Sequence, residues 1–237
     1  GSEMCIRDRH TFTGQRWATL KPNSPLRILL IFFDKLIVRL NTFVYTDSPS
    51  QSEFLIEKKI AQAGGISTIH KGCYGGIDFE RFNLEKLSHY KKSVRDEIKV
   101  DINTKLVLFL GRVTKDKGVE DLLEVFSDPE FKTQNIHLIL VGPFEQELDP
   151  ISEIALSVLK NNSQVHYLGY TDIPEKYFIA ADLFCMPSYR EGFGTVILEA
   201  ASLKVPAIGS NIPGLKDAIE DGVTGKLFPL KLSLIHI

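Results

Sequence analysis

The chain has 237 residues, of which 43% are hydrophobic, 24% charged and 10% aromatic. That length is about one and a half typical domains, and the composition excludes disordered, collagenous and repeat-array classes. The 28 Lys and Arg against 30 Asp and Glu leave a net charge of −2, which argues against nucleic acid, and three scattered cysteines (Cys5, Cys73, Cys185) suit neither a disulfide framework nor structural zinc.

In chain order, the first stretch, GSEMCIRDR, and the last, LSLIHI, resemble translations of a sequencing-library transposon adapter read on opposite strands. The codons CTG TCT CTT ATA CAC ATC encode Leu232 to Ile237, and their reverse complement encodes Met4 to Asp8 in one frame. Residues 1–9 and 232–237 are therefore expected to be adapter-derived, which removes Cys5 and His236 from any functional reading.

The most apolar segment is 24–40, but Arg27, Asp34, Lys35 and Arg39 interrupt it well short of the ~18 residues that a membrane span needs. On a helix these four form one narrow polar stripe, the pattern of a buried domain helix with one wet edge. A helix lying in a membrane interface, with peripheral membrane association, is the alternative. Next comes TFVYT at 42–46, a strand pattern. The polar, Lys- and Ser-rich run from Asn83 to Asn103 reads as an inter-domain linker. It divides the chain into 10–83, a linker at 84–104, and 105–231.

Beyond it, LVLFL (106–110), IHLILVG (136–142), VHYLG (165–169), LFCMPS (183–188) and VPAIGS (205–210) alternate with helical stretches, the βαβα signature of a parallel sheet. Helical period is clearest after Gly118, where Val119, Leu122, Leu123 and Phe126 share one face. His70, His89, His137 and His166 have no carboxylate at suggestive spacing and read as surface or strand residues.

Anion chemistry gathers at two strand ends. No GxxxxGK[ST] loop is present, and Gly192-Phe193-Gly194 is followed by Ile197 where a dinucleotide fingerprint needs Gly or Ala. Directly after LVLFL stand Gly111 and Arg112, with Lys117 five residues on. Ligands of open parallel sheets bind beyond the carboxyl ends of strands, so both cations are placed to meet a diphosphate. After LFCMPS, glycines 192 and 194 open a helix N-terminus whose backbone N–H groups and positive dipole end make a second anion cradle. Glu191 and Glu199 flank that cradle, and carboxylates beside an anion site suit vicinal hydroxyls, so the pattern points to a sugar nucleotide.

EGFGTVILEA resembles the paired-glutamate motif of retaining glycosyltransferases of family 4, and GRVTKDKG resembles their diphosphate clamp. ILVGPFE, LGYTDIPEKYFIAADLFCMPSYREGFG and GSNIPGLKDAIEDGVTGKLF follow the family's order across 105–229. Upstream, HTFTGQRWATLK, TDSPSQSEFL and GGIDFERF resemble the last part of the acceptor-binding domain of bacterial enzymes that build surface polysaccharides. The resemblance implies an α/β chain of GT-B type: a Rossmann-like donor-binding domain over 105–231, truncated at its C-terminus, and at 10–83 the C-terminal part of a Rossmann-like acceptor-binding domain.

It further implies a transferase moving a hexose-type sugar from a nucleoside-diphosphate sugar, UDP-linked in the commonest case, to a glycan or polyprenyl-linked acceptor in envelope polysaccharide synthesis. No metal and no cofactor are implied. By the same likeness Arg112 and Lys117 stabilise the diphosphate charge as the glycosidic bond breaks, and Glu191 holds the donor sugar's hydroxyls. Glu199 holds the ribose, and Gly111, Gly192, Phe193, Gly194 and Thr195 complete the donor site. The resemblance also implies a cytoplasmic place of work, with the inner face of the plasma membrane as an option within it. A sugar-nucleotide 2-epimerase of the same architecture and a non-catalytic sugar-nucleotide-binding protein are the alternatives. The truncated chain itself is expected to transfer no sugar.

Overall fold

The computed structural model describes residues 8–147 and 149–230. Most of the two adapter-like ends, including Cys5 and His236, lies outside the described residues. Asp8, however, accepts bonds from the Thr42 backbone N–H and hydroxyl, and Arg9 opens the first strand.

Two compact units share the chain: residues to Gly76 with Arg190–Gly194 and Ile212–Ala218, and Ile77–Tyr189 with Thr195–Asn211 and the segment from Ile219. The first holds a parallel sheet of β1 (Arg9–Phe12), β2 (Phe43–Thr46) and β3 (Ser67–Thr68), in the order β1-β2-β3. Between the strands run α1 (Pro25–Leu40) and α2 (Pro49–Glu57). Their core is Phe12, Trp17, Val44, Leu55, Ile60 and Ile66, against which α1 lays Leu30, Ile31, Ile37 and Val38.

The expected burial of α1 is not what the structure shows. None of its residues is fully buried, Ile28 is 61% and Phe32 58% exposed, and the polar stripe is partly turned inward. The cause is Trp17: its ring is buried, and a buried indole N–H needs an acceptor. It donates to Asp34 Oδ2 at 2.6 Å while Arg27 lies over the same ring at 5.9 Å. Burial raises the Asp34 carboxyl above its usual range, against the lowering pull of the indole bond.

The second unit opens with α3 (Leu84–Leu87) and α4 (Tyr90–Glu97), so the segment read as a linker is instead largely helical. Arg95 explains why. Only 3% exposed, it donates to the carbonyls of Asp101, Ile102, Thr104 and Ala180 and to Asp182, anchoring the polar run to the sheet. Then follow β4 (Lys105–Leu110), α5 (Val119–Ser127), α6 (Pro129–Lys132), β5 (Ile136–Val141), α7 (Glu153–Asn161) and β6 (Val165–Tyr167). The rest of this unit's order is α8 (Glu175–Ala180), β7 (Leu183–Met186), α9 (Thr195–Ser202) and β8 (Ala207–Ser210), and after α10 (Leu215–Ala218), which groups with the first unit, β9 (Gly225–Phe228).

All six strands of this unit pair in parallel, in the order β6-β5-β4-β7-β8-β9. Buried on both faces, the strands read as continuous apolar runs: Leu106, Leu108, Leu138, Ile139, Leu140 and Phe184 are all 0% exposed. The α5 stripe packs as its spacing predicts, with Val119, Leu122, Leu123 and Phe126 each 3% exposed or less. Cys185 on β7 is 1% exposed, and burial pushes its thiol up to about 12. His137 and His166 do lie on strands, β5 and β6, with ring nitrogens 2.8 Å apart and rings stacked.

Candidate active site

Strand order in the six-stranded sheet reverses between β4 and β7, because the chain winds outward through β5 and β6 on one side and through β8 and β9 on the other. Such a reversal opens a crevice at the carboxyl ends of the two central strands, where ligands of this architecture bind. The segment 111–118 leaves β4 there, and the segment reaching α9 leaves β7 there.

The first of these loops is built rigidly. Gly111 N–H donates to the Val141 carbonyl at 2.9 Å, and Val113, fully buried, donates to the Pro143 carbonyl at 2.8 Å. Asp149 accepts the Asp116 N–H at 2.6 Å, and a short 3-10 turn over Lys115–Lys117 ends at Gly118 in the left-handed region, φ 70°. Only glycine fits: besides the backbone angle, a Cβ there would run into the carbonyl of Pro187 beyond β7. Tyr189 joins the two loops, its N–H donating to the Asp116 carbonyl at 2.9 Å and its hydroxyl to Asp121 at 2.7 Å.

Within this frame Arg112 reaches Glu145 at 3.0 Å and Asp116 at 3.5 Å, with 38% of its side chain exposed. Partly solvated ion pairs are weak, so an incoming diphosphate can take the guanidinium from Glu145. Lys117 is half-buried at the end of the 3-10 turn. Gly111 and Arg112 line a cavity of 460 Å³ together with Gly142, Arg81, Tyr170 and Asp172. Arg81 is held by the Asp172 carbonyl at 2.7 Å and the buried Glu175 carboxylate at 2.9 Å. Glu199, half-buried on the second turn of α9, has its carboxyl raised chiefly by burial, with Arg81 pulling it back down and Glu175 adding to the rise.

The nine residues singled out from the sequence are thus divided between the units. Gly111, Arg112, Lys117, Thr195 and Glu199 belong to the second, with Thr195 at the first position of α9. Glu191, Gly192, Phe193 and Gly194 group with the first. There Gly192 passes so close to Asp47 that a Cβ would lie 2.5 Å from its Oδ2, and Phe193 is 8% exposed, with its ring against Gly72. What Phe193 presents to a ligand is therefore backbone. Burial raises the Asp47 carboxyl. Arg81, Tyr170 and Glu145 lie beside Gly111 and Arg112 in the second unit, and Asp47 beside Gly192 in the first; the sequence singled out none of them as a site residue. Among the described residues no cluster of His, Cys, Asp or Glu is arranged to hold a metal.

The family model for glycosyl transferases group 1 matches residues 91–233. The chain belongs to this family. Among group 1 relatives, it is 30% identical over 219 residues to the capsular polysaccharide biosynthesis glycosyltransferase CapM of Staphylococcus aureus, covering 91% of this chain and 55% of CapM. Among solved structures, the sucrose-phosphate synthase of Thermosynechococcus elongatus superposes with a TM-score of 0.75 at 23% identity, covering 96% of this chain and 56% of the synthase. Anabaena HepE in complex with UDP and glucose gives 0.70 at 20%, covering 88% and 56%. The Rossmann-like α/β fold of GT-B type expected from the sequence is the fold these structures share. The chain spans about half the length of the relatives it matches.

Proposed function

We propose that the whole protein is a retaining glycosyltransferase of family 4, moving a hexose-type sugar from a nucleoside-diphosphate sugar to a glycan or polyprenyl-linked acceptor during envelope polysaccharide assembly. The observation that carries this reading is the position of Arg112. It stands at the carboxyl end of β4, beside the strand-order reversal, in a cavity of ligand size. The capsular role in the name of the S. aureus relative and the UDP held by HepE support the acceptor and donor classes.

In this reading the leaving diphosphate gathers negative charge as the glycosidic bond breaks, and Arg112 and Lys117 stabilise it. The N–H groups of Gly194 and Thr195 receive a phosphate oxygen at the start of α9. Glu199, ionised, accepts hydrogen bonds from the ribose hydroxyls, and Glu191 does the same for the transferred sugar. No cofactor enters the scheme. The exposed Ile28 and Phe32 of α1 support peripheral association with the inner face of the plasma membrane, although no helix among the described residues is long and apolar enough to cross one. The terminal stretches remain adapter-derived in this reading. The chain as it stands, half the length of its relatives, binds donor without completing transfer.

Thermal melting with UDP, GDP and ADP tests the donor site. A nucleotide at 100 times its dissociation constant stabilises the fold by ~2.7 kcal/mol, and Arg112→Ala and Glu199→Ala are expected to remove that gain. A cooperative melt that none of the three nucleotides moves would overturn the reading. Product analysis of the full-length enzyme without acceptor separates transfer from epimerisation.

A further inference from the structure

We infer that the cavity at the amino ends of β5 and β6 is a binding site apart from the proposed donor site, one that takes a neutral glycan by its hydroxyl groups. It measures about 730 Å³ and is lined by the second unit alone. Gln134, Asn135 and His137 bring it to the start of β5, and Gln164 directly precedes β6. Arg112 stands beyond the opposite end of the six-residue β4, roughly 20 Å away at ~3.3 Å per residue.

The lining disfavours other ligand classes. It holds one imidazole and neither carboxylate nor thiolate, too few ligands for a metal ion. Helices α5, α6 and α7 all end there, at Ser127, Lys132 and Asn161, so carbonyl ends rather than N–H groups meet at the cavity. That polarity opposes a phosphate, and Lys132 is the one fixed cation against it. Val158 is the one apolar lining side chain, so an acyl chain finds no wall.

What remains is amide and hydroxyl. Sugar hydroxyls both donate and accept, and a side-chain amide presents both functions in one plane. The amides are already fixed. Gln164, 9% exposed, donates to the Gln134 and Ile136 carbonyls at 2.8 and 3.0 Å, and its own N–H is accepted by Asn162 at 2.9 Å. Asn161 donates to the Ser157 hydroxyl at 3.2 Å, and Asn135 Oδ1 accepts from the Thr104 hydroxyl at 3.1 Å. These bonds leave the Asn135 amino group and the Asn161 carbonyl oxygen oriented for a ligand, which spares part of the ordering cost of binding. His137 engages His166 through Nδ1 and keeps Nε2 for the ligand, as donor or acceptor according to its tautomer. Burial lowers its titration, so it meets a ligand uncharged near neutral pH. That the glycan is the polymer under construction rests on the acceptor class proposed above; binding at the cavity does not.

Affinity electrophoresis of the 237-residue chain through gels containing dextran, glycogen or galactomannan tests the site, with dextran sulfate as the anionic probe. Retardation by at least one neutral polymer is expected. A Gln134→Ala, Asn161→Ala double variant is expected to weaken it roughly tenfold, the size of two hydrogen bonds. Both side chains are exposed, so its melting temperature stays that of wild type. Lys132→Ala is expected to leave neutral retardation intact. Arg112→Ala is expected to keep it too, while losing any nucleotide-induced rise in melting temperature. Retardation by dextran sulfate alone, lost in Lys132→Ala, would overturn the proposal and make the cavity an anion site. Neutral retardation that the double variant keeps would overturn it as well, and so would none from any of the three neutral polymers. A nucleotide response without glycan retardation removes this inference alone; the reverse result removes the donor-site reading alone.

Discussion

Arg95 and Asp182, 87 positions apart in sequence, meet at 3.2 Å with the arginine 3% exposed. The same guanidinium satisfies four backbone carbonyls, and the same carboxylate accepts the Leu106 N–H at 2.9 Å at the start of β4. This pair fastens α4 to β4, a central strand of the six-stranded sheet.

Removing the guanidinium leaves four backbone carbonyls without their donor, while Asp182, 33% exposed, keeps Lys105 at 3.7 Å and the Leu106 N–H. Arg95→Ala is therefore expected to cost about 2–3 kcal/mol, read as a lower urea midpoint. An effect below about 0.5 kcal/mol, the size of an ordinary surface substitution, would show that α4 is not anchored this way.

Gly118 offers a sharper local test. Alanine there meets both a left-handed backbone angle and the Pro187 carbonyl. The expected loss is about 1–3 kcal/mol, together with weaker nucleotide binding, because Lys117 moves with the turn. Unchanged affinity in a folded Gly118→Ala variant would remove Lys117 from the proposed donor site.

Glu199 ties pH to ligand affinity. Its carboxyl titrates above the usual glutamate range because it is buried, and Arg81 limits the rise. In the proposed role the ionised form is the better acceptor for two ribose hydroxyls, so nucleotide affinity is expected to fall as pH drops through this raised value. Arg81→Gln should move the break to higher pH, and Glu199→Gln should flatten the profile. For folding the sign is opposite: a raised carboxyl contributes stability that is present below its unfolded value and lost as pH climbs through the folded one. An Arg81→Gln profile that overlays wild type would break the proposed link between these residues.

Burial lowers the titration of both His137 and His166, and for His166 the neighbouring imidazole adds to it. Folded values below the unfolded value of ~6.5 mean that unfolding takes up protons in acid. The contribution to stability is present above that value and lost as pH falls through the folded one. Urea midpoints should therefore decline from pH 7.5 toward pH 5.5, and a His137→Gln, His166→Gln double variant should decline less. An identical slope in the double variant would assign the loss to other groups.

The parallel sheet was legible because its strands are buried on both faces and so carry uninterrupted apolar runs, as LVLFL and IHLILV show. The placement of Gly111, Arg112 and Lys117 just beyond β4 was legible for a similar reason: they follow one strand within a few residues. The segment 84–104 was misread because its burial rests on one arginine whose acceptors lie as far away as Asp182. In α1 the periodicity registered a polar stripe but not the buried Trp17 N–H that draws Asp34 inward. Arg81 lies within GGIDFERF, but that segment's resemblance does not say which partner its side chain finds. Arg81 reaches its place through Glu175, 94 positions on, and no local pattern encodes such a contact.

Cys185 lies on β7, beside the strand at whose end Arg112 stands. A thiol pushed up to about 12 and 1% exposed cannot react in the closed sheet. Modification of this one residue by a thiol reagent must therefore wait for β7 to separate from its neighbours. Its labelling rate, located by peptide mapping, is a clock for opening at the centre of the six-stranded sheet. A bound nucleotide would slow that clock by the fraction of molecules it keeps closed.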